Sequence, residues 1–548
     1  VSRTIDGSQL RKAFVTAGEV LQAQREQVDA LNVFPVPDGD TGTNMALTWQ
    51  GAVAELARVR EDTIPAVAQA MARGSLMGAR GNSGVILSQI LRGFALKLNQ
   101  VQEMGPKEVA AAFRGAADTA YKGVLKPVEG TILTVIREAA QGAEKAVRKA
   151  SSAIEVWQAA VVAAEEGLQR TPELLPILRQ VGVVDAGGQG LVILLRAMLA
   201  SFQDQDVQWV LTKPAQAQAT PQMVEVVDEL PADLGDIKYH YCTEFILKGQ
   251  DLPLALLRGK LDPLGDSLLV VGEADLAKIH VHTNHPGQAL EIAVQYGSLH
   301  NIKISNMLDQ YLEKQQQEAS KPAAAPVKEE KELGLVAVAT GAGLTRVFTS
   351  LGVDQVVAGG QTNNPSTADL LAAVEAVPAR TVLILPNNGN VIMAAEQVGQ
   401  LTSKQVVVIP SRTIPQGLAA LMQFDPGADL AANVEAMTAA LGQVVSGEIT
   451  YAVRDSQIDG LAIKAGDILG LIDDKVQVVG KTREEVFLNM LAHIVTEDHS
   501  LLTIFAGEGV GPEEQQEMLT RLQAAYPQLE IELHQGDQPV YAYVFGVE

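Results

Sequence analysis

Between positions 6 and 31, DGSQLRKAFVTAGEVLQAQREQVDAL, apolar residues recur near helical spacing behind a capping-type Asp6 or Ser8. This predicts an amphipathic helix whose C-terminus opens into NVFPVPDGDTGTNM, where Pro35 and Pro37 stiffen the exit. A second apolar run, read as a helix, follows Gly81-Asn82-Ser83-Gly84. EGTILTVIRE places Thr131 at a helix start, and VVDAGGQGL sets Asp185 beside three glycines. The pattern then changes. Residues 226–312 alternate strand-like runs (HYCTEFILKG, SLLVVG, AKIHVHTNHPG) with helical ones, as in a small α+β domain. From residue 334, LGLVAVAT, TVLILPNN and QVVVIPS alternate with helical segments, the βα rhythm of a parallel sheet. From GEITYAVRD onward the chain turns β-rich, and it closes with LEIELHQGDQPVYAYVFGVE, read as two strands joined by a Gly-Asp turn.

Polar stretches without periodicity divide these regions, at 212–225 and at 313–333, the latter an Ala/Pro/Lys/Glu flexible linker. The chain of 548 residues is long enough for two to four domains. We assign 1–211, 226–312, the 313–333 linker and 334–548. A net charge of −23 argues against a phosphate-tracking surface, so nucleic acid is a poor partner. One cysteine excludes an intrachain disulfide, and no signal-like start or apolar run of membrane length is visible, so a cytoplasmic protein without stable membrane insertion is expected.

The chemistry concentrates in the aspartate turn. Asp38 and Asp40 flank Gly39, so both carboxylates can face one hard cation such as Mg²⁺, while the glycines admit a phosphate and Thr41 and Thr43 add hydroxyls. Asn44 follows directly. Free N–H groups at Gly81, Asn82, Ser83 and Gly84, before the helix, could hold a second part of the same anion. Thr131 and Asp185 are further candidate contacts for that anion, though each of these features alone is more often just a helix cap or a tight helix contact. Arg80 is either a neutralising group or a structural ion pair.

Taken in order, DGDTGTNM, GNSG, EGTILTV and DAGGQG resemble the nucleotide-binding subunit of the dihydroxyacetone kinase family, whose site is an all-helical barrel and not a P-loop; no GxxxxGK[ST] string occurs here. The resemblance implies an all-α, DhaL-like barrel over the first two hundred residues, with ATP as cofactor. It implies Asp38, Asp40 and Thr41 as catalytic residues. Mg²⁺ would be held by Asp38, Asp40 and a third ligand. Where relatives carry an aspartate this chain has Asn32, with Asp29 as the alternative. With AGGQTNNPST and LPNN, the three-part layout resembles the A subunit of bacterial fatty acid kinase along the whole length, with an α/β, DegV-like C-terminal domain. That family phosphorylates the carboxylate of a fatty acid carried by a separate DegV-like protein, feeding phospholipid synthesis, and a homodimer is an expectation from it. The two Asn-rich loops would then dock the partner. Alternatives are a kinase of a small hydroxy metabolite, and a nucleotide-sensing scaffold.

In the middle domain Cys242, His280 and His282 form a sensible Zn²⁺ set, since the two-residue period of a strand puts both histidines on one face; Glu244, His240 or water would complete it. The other reading is a strand with ordinary histidine hydrogen bonds. The resemblance favours structural zinc.

Overall fold

The computed structural model describes residues 3–32, 39–124, 126–205, 238–249, 252–272, 276–306, 331–360, 363–458, 460–473 and 475–548. Val1–Lys213 and Glu329–Glu548 together form one compact unit, and Pro214–Lys328 forms another.

The first unit opens with ten helices among the described residues: α1 (Gly7–Asp29), α2 (Thr41–Arg58), α3 (Ile64–Gly78), α4 (Gly81–Leu98), α5 (Pro106–Lys122), α6 (Ile132–Ala146), α7 (Ala153–Gln169), α8 (Thr171–Leu174), α9 (Pro176–Val181) and α10 (Ala186–Phe202). The expected all-helical first domain is thus present. Local signals set its ends. Asp6 caps α1 in a reciprocal box with Gln9, and Thr63, Thr131, Ser152 and Asp185 cap α3, α6, α7 and α10 through their side chains. Apolar faces meet in one core, where Trp157 stacks edge-on against Phe113 and Phe202, each 5.0 Å away, and Phe94, 6.0 Å away.

The second unit contains β1 (Tyr241–Lys248), α11 (Leu254–Leu261), β2 (Gly265–Gly272), β3 (Leu276–Thr283), α12 (Pro286–Val294) and β4 (Ser298–Asn306). Its strands pair antiparallel in the order β2-β3-β1-β4, and alternate residues Phe245, Leu247, Ile279 and Val281 bury one face beneath the helices.

The C-terminal part returns to the first unit. β5 (Lys331–Ala339), α13 (Ala342–Ser350), β6 (Gln355–Ala358), α14 (Thr367–Ala376), β7 (Ala379–Leu385), α15 (Ile392–Val398) and β8 (Gln405–Val408) make a parallel sheet ordered β6-β5-β7-β8. β5 starts at Lys331, inside the expected linker, because its polar first residues are usefully placed: Lys331 reaches Asp354 at 2.7 Å and its N–H donates to the Pro378 carbonyl. Then come α16 (Ile414–Met422), α17 (Leu430–Ala440), β9 (Val445–Tyr451), the hairpin β10 (Ser456–Ile458) and β11 (Leu461–Ile463), β12 (Ile468–Ile472), β13 (Lys475–Gly480), α18 (Arg483–Ile494), β14 (Leu501–Ala506), α19 (Pro512–Ala525), β15 (Glu530–Gln535) and β16 (Tyr543–Val547).

The two expected closing strands are present and are connected through Gly536-Asp537, but they do not pair with each other. In the sheet β13-β12-β9-β16-β14-β15, β14 lies between the last two strands, parallel to β15 and antiparallel to β16. The crossover helix α19 permits the parallel pairing, so the Gly536-Asp537 turn leads past β14 and not into a hairpin.

The helical domain and the parallel sheet share a core. Ala79 and Val85 pack into the cluster of Val338, Val357 and Val391, α15 lies on α4, and Ile177 of α9 packs against the β10–β11 hairpin.

Candidate functional site: a polar cleft walled by two domains

A cleft of about 340 Å³ opens where the starts of α2, α4, α6 and α10 converge. The start of α2 carries the second predicted aspartate, as N-cap residue; Asp38 lies outside the described residues. Asp40 does not cap its own helix. Asp29, from the end of α1, does so: its Oδ1 accepts the Gly42 and Thr43 N–H groups at 2.6 and 3.1 Å, and its Oδ2 accepts the Thr43 hydroxyl at 2.8 Å. Burial raises the pKa of Asp29, and these bonds pull it back. Asp29 is therefore engaged in holding the turn, and Thr43 is turned toward it and away from the cleft wall. Asn32 does line the cleft, and its Oδ1 accepts the Thr41 hydroxyl at 2.8 Å.

Asp40, Thr41, Asn32 and Asn44 thus gather on one wall, with Asn44 only 4% exposed. Asn82 and Ser83 form the next wall. The Gly81–Gly84 segment is itself the first turn of α4, not a loop ahead of it; the N–H groups of Gly81, Asn82 and Ser83 lack intrahelical partners as a helix start requires, whereas that of Gly84 donates to the Arg80 carbonyl at 3.1 Å. Gly81 adopts φ +57°, and a Cβ there would lie 2.5 Å from Asn44 Nδ2, so only glycine lets α4 begin so close. Gly84 serves packing: a Cβ would stand 2.3 Å from Thr48 Oγ1.

Thr131 and Asp185 line the opposite side as helix caps. The Thr131 hydroxyl donates to the Val128 carbonyl at 2.8 Å and accepts the Leu133 N–H, and Asp185 Oδ2 accepts the Gly188 N–H at 2.7 Å. Burial pushes the Asp185 carboxyl up to about 6, against the pull of the Gly188 and Ile132 N–H groups. Because the folded pKa exceeds the unfolded value, the native state binds the extra proton, and this residue's contribution to stability is lost as pH rises through about 6. Melting of the parent chain and of Asp185→Asn across pH 4 to 7 tests the sign: the parent should lose ground to the variant as pH rises, and parallel curves would remove Asp185 as the titrating group.

Two residues of the C-terminal domain reach the residues of these walls, from loops that the sequence offered only as a docking face. Asn390, following β7, lines the cleft and accepts from Asn82 Nδ2 at 3.1 Å. Asn364, following β6, donates through Nδ2 to Asp40 Oδ2 at 2.5 Å. The loops AGGQTNNPST and LPNNGN, expected to present a docking face, are turned inward at these positions, and Asn364 is 1% exposed. Arg80 takes the structural alternative: its guanidinium donates to the Asn364 carbonyl at 2.9 Å and pairs with Asp369 at 3.6 Å. Farther along, Arg454 donates to the Ala30 carbonyl at 2.5 Å, tying the C-terminal domain to the end of α1.

The donor set suits a hard cation: a carboxylate, amide oxygens and a hydroxyl converge. The amide oxygens of Asn82 and Asn364 are buried without a hydrogen-bond partner. In the second unit, strand register sets Cys242 opposite His282 and Glu244 opposite His280, but the side chains of Cys242, Glu244 and His280 lie outside the described residues. Among the described residues no group of three His, Cys, Asp or Glu is placed to hold a metal; His282 stands 3.5 Å from Asp266. Among the described residues no helix is long and apolar enough to cross a membrane.

Known proteins line up with these parts in order. The DAK2 domain family matches residues 35–200, the fatty acid kinase A-subunit-like middle domain 238–314, and the fatty acid kinase A-subunit-like C-terminal domain 334–548. Protein YloV of Bacillus subtilis is 41% identical over 551 residues, covering 100% of both chains. An uncharacterized protein of Staphylococcus haemolyticus is 38% identical over 552 residues, covering 99% of both. Among solved structures, the C. freundii dihydroxyacetone kinase in complex with AMP-PNP and Mg²⁺ is 21% identical, with a TM-score of 0.28 over 36% of this chain and 33% of that one. A DegV family protein of Corynebacterium glutamicum is 17% identical, with a TM-score of 0.32 over 40% of this chain and 97% of that one. Structural likeness at that level carries no functional argument.

Proposed function

Because the chain belongs to the fatty acid kinase A-subunit family, we propose that it transfers the γ-phosphoryl group of ATP to the carboxylate of a fatty acid presented by a separate DegV-like protein. A carboxylate oxygen forms the new bond to phosphorus, the bond to the ADP oxygen breaks, and the products are an acyl phosphate and ADP. The substrate is ionised at neutral pH, so no proton has to be removed and no strong base is needed. The observation that carries the reading is the cleft: hard oxygen donors at Asn32, Asp40 and Thr41 face the start of α4, beside apolar Ile86 and Ile132 that suit a base. Asp40 and Asn32, with Asp38, would hold Mg²⁺, which neutralises the phosphate oxygens when bound. The N–H groups of the first turn of α4 would take a phosphate, and the Thr41 and Ser83 hydroxyls orient it.

A long acyl chain is insoluble and needs shielding, whereas the phosphoryl donor needs an open polar cleft. Dividing the task between two proteins meets both needs, and membership in a family that forms one part of a multi-part kinase supports the division. The test is transfer from γ-labelled ATP with Mg²⁺ to a fatty acid, with and without a DegV-like acid-binding protein from the same cell. Labelled acyl phosphate should form only with the loaded partner. Turnover of a soluble metabolite without any carrier would replace this reading by a metabolite kinase, and nucleotide binding with no transfer to any acceptor would replace it by a sensing scaffold.

A further inference from the structure

Resting on the reading of Asp40 as a metal-holding carboxylate, we propose that Asn364 of the C-terminal domain is a positioning residue for the kinase site, and that Mg²⁺-dependent nucleotide binding therefore depends on the docking of that domain.

Asp40 is the N-cap residue of α2, yet its side chain does not bind that helix's amides, because Asp29 has taken them. Its Oδ2 instead accepts the Asn364 Nδ2 donor across 324 positions of sequence. Only the amide nitrogen can face a carboxylate oxygen, so the hydrogen-bond network fixes which way Asn364 points. The loop behind it is pinned to the helical domain. Arg80 donates to the Asn364 carbonyl and pairs with Asp369, the Thr367 N–H donates to the Ala79 carbonyl at 3.1 Å, and Ser366 and Asp369 cap α14 reciprocally.

Asn364 is thus a rigid buried donor aimed at one carboxylate, which is what a residue does that orients a metal ligand from outside the coordination sphere. A second observation points to a ligand. The Asn364 Oδ1 and, nearby, the Asn82 Oδ1 are buried acceptors without hydrogen-bond partners. An interface made only for adhesion gains nothing from two unpartnered buried acceptors; Asn82 lines the cleft, where a hydrated cation or the hydroxyls of a nucleotide would satisfy its acceptor. Asn390, bonded to Asn82 from the next loop of the same sheet, repeats the arrangement.

The experiment is a Mg²⁺ titration of fluorescent-ATP binding to the full-length chain, without acyl substrate. Asn364→Ala should raise the half-saturating Mg²⁺ concentration about 10- to 100-fold, the usual cost of losing such an orienting bond. Gln397→Ala, which removes an interdomain side chain facing Gln89 away from the cleft, should leave it unchanged. If Asn364→Ala does not fold, Asn364→Ser keeps a small polar side chain with a shorter reach and should move the requirement in the same direction. A chain whose melting temperature drops while its Mg²⁺ requirement stays put would overturn the inference and leave Asn364 a simple interface residue. Asp40→Ala separates the two layers. If it abolishes Mg²⁺-dependent binding while Asn364→Ala has no effect, the positioning role fails and the metal reading stands; if Asp40→Ala binds as the parent does, the metal reading itself fails.

Discussion

Joint replacement of Asp38 and Asp40 by alanine is expected to lower phosphoryl transfer by at least about 10²- to 10³-fold, the scale seen when a preorganised electrostatic group is removed from a reacting centre. Two properties should survive. The start of α2 is capped by Asp29 and not by Asp40, so the helix keeps its N-terminal hydrogen bonds. The apolar core of the helical domain does not include Asp40. Circular dichroism should accordingly show a folded chain, with the loss confined to the transfer rate in the presence of an acid-loaded partner. Undiminished transfer would remove this turn from the chemistry. The same substitution at Asp29 should behave differently, because the Gly42 and Thr43 N–H groups would be left unpartnered in a half-buried place.

Trp157→Ala should be the most damaging single change to the helical domain, costing about 3–5 kcal/mol. The indole is 1% exposed, touches three phenylalanine rings from α4, α5 and α10, and donates its N–H to the Leu195 carbonyl at 3.2 Å. Truncation leaves a cavity and removes the indole's hydrogen bond to a helix carbonyl. Denaturant unfolding followed by far-UV ellipticity measures the cost, and a loss below about 1 kcal/mol would show that the surrounding rings collapse into the space.

Local chemistry was what the sequence made legible. Asp6, Thr131 and Asp185 announce helix starts through side-chain caps a few residues away, and each stands where that logic puts it. Strand runs such as LGLVAVAT and TVLILPNN are apolar because both faces of a parallel sheet are covered, so they too were readable. The ordered motifs brought Asn32, Asp40, Thr41, Asn82, Ser83, Thr131 and Asp185 to one cleft. The rest depended on pairings between distant residues. No local pattern says that β14 will insert between β15 and β16, since a Gly-Asp turn reads the same in a hairpin and in a connection. Nor does TNNPST reveal that one of its asparagines meets Asp40; asparagine is an ordinary turn residue, and only the shared core of Ala79 and Val85 with the parallel sheet brings it there.

That shared core bears on how the protein is made. During synthesis the helical domain emerges first, with Ala79 and Val85 lacking the sheet that covers them, and the whole second unit must follow before Asn364 leaves the ribosome. At about 5–20 residues per second, the 284 positions between Arg80 and Asn364 represent a delay on the order of tens of seconds. From the emergence of α10 until that point the nascent chain carries an apolar strip without its cover and a cleft without Asn390, so premature termination in the middle of the message yields a helical domain with that strip exposed.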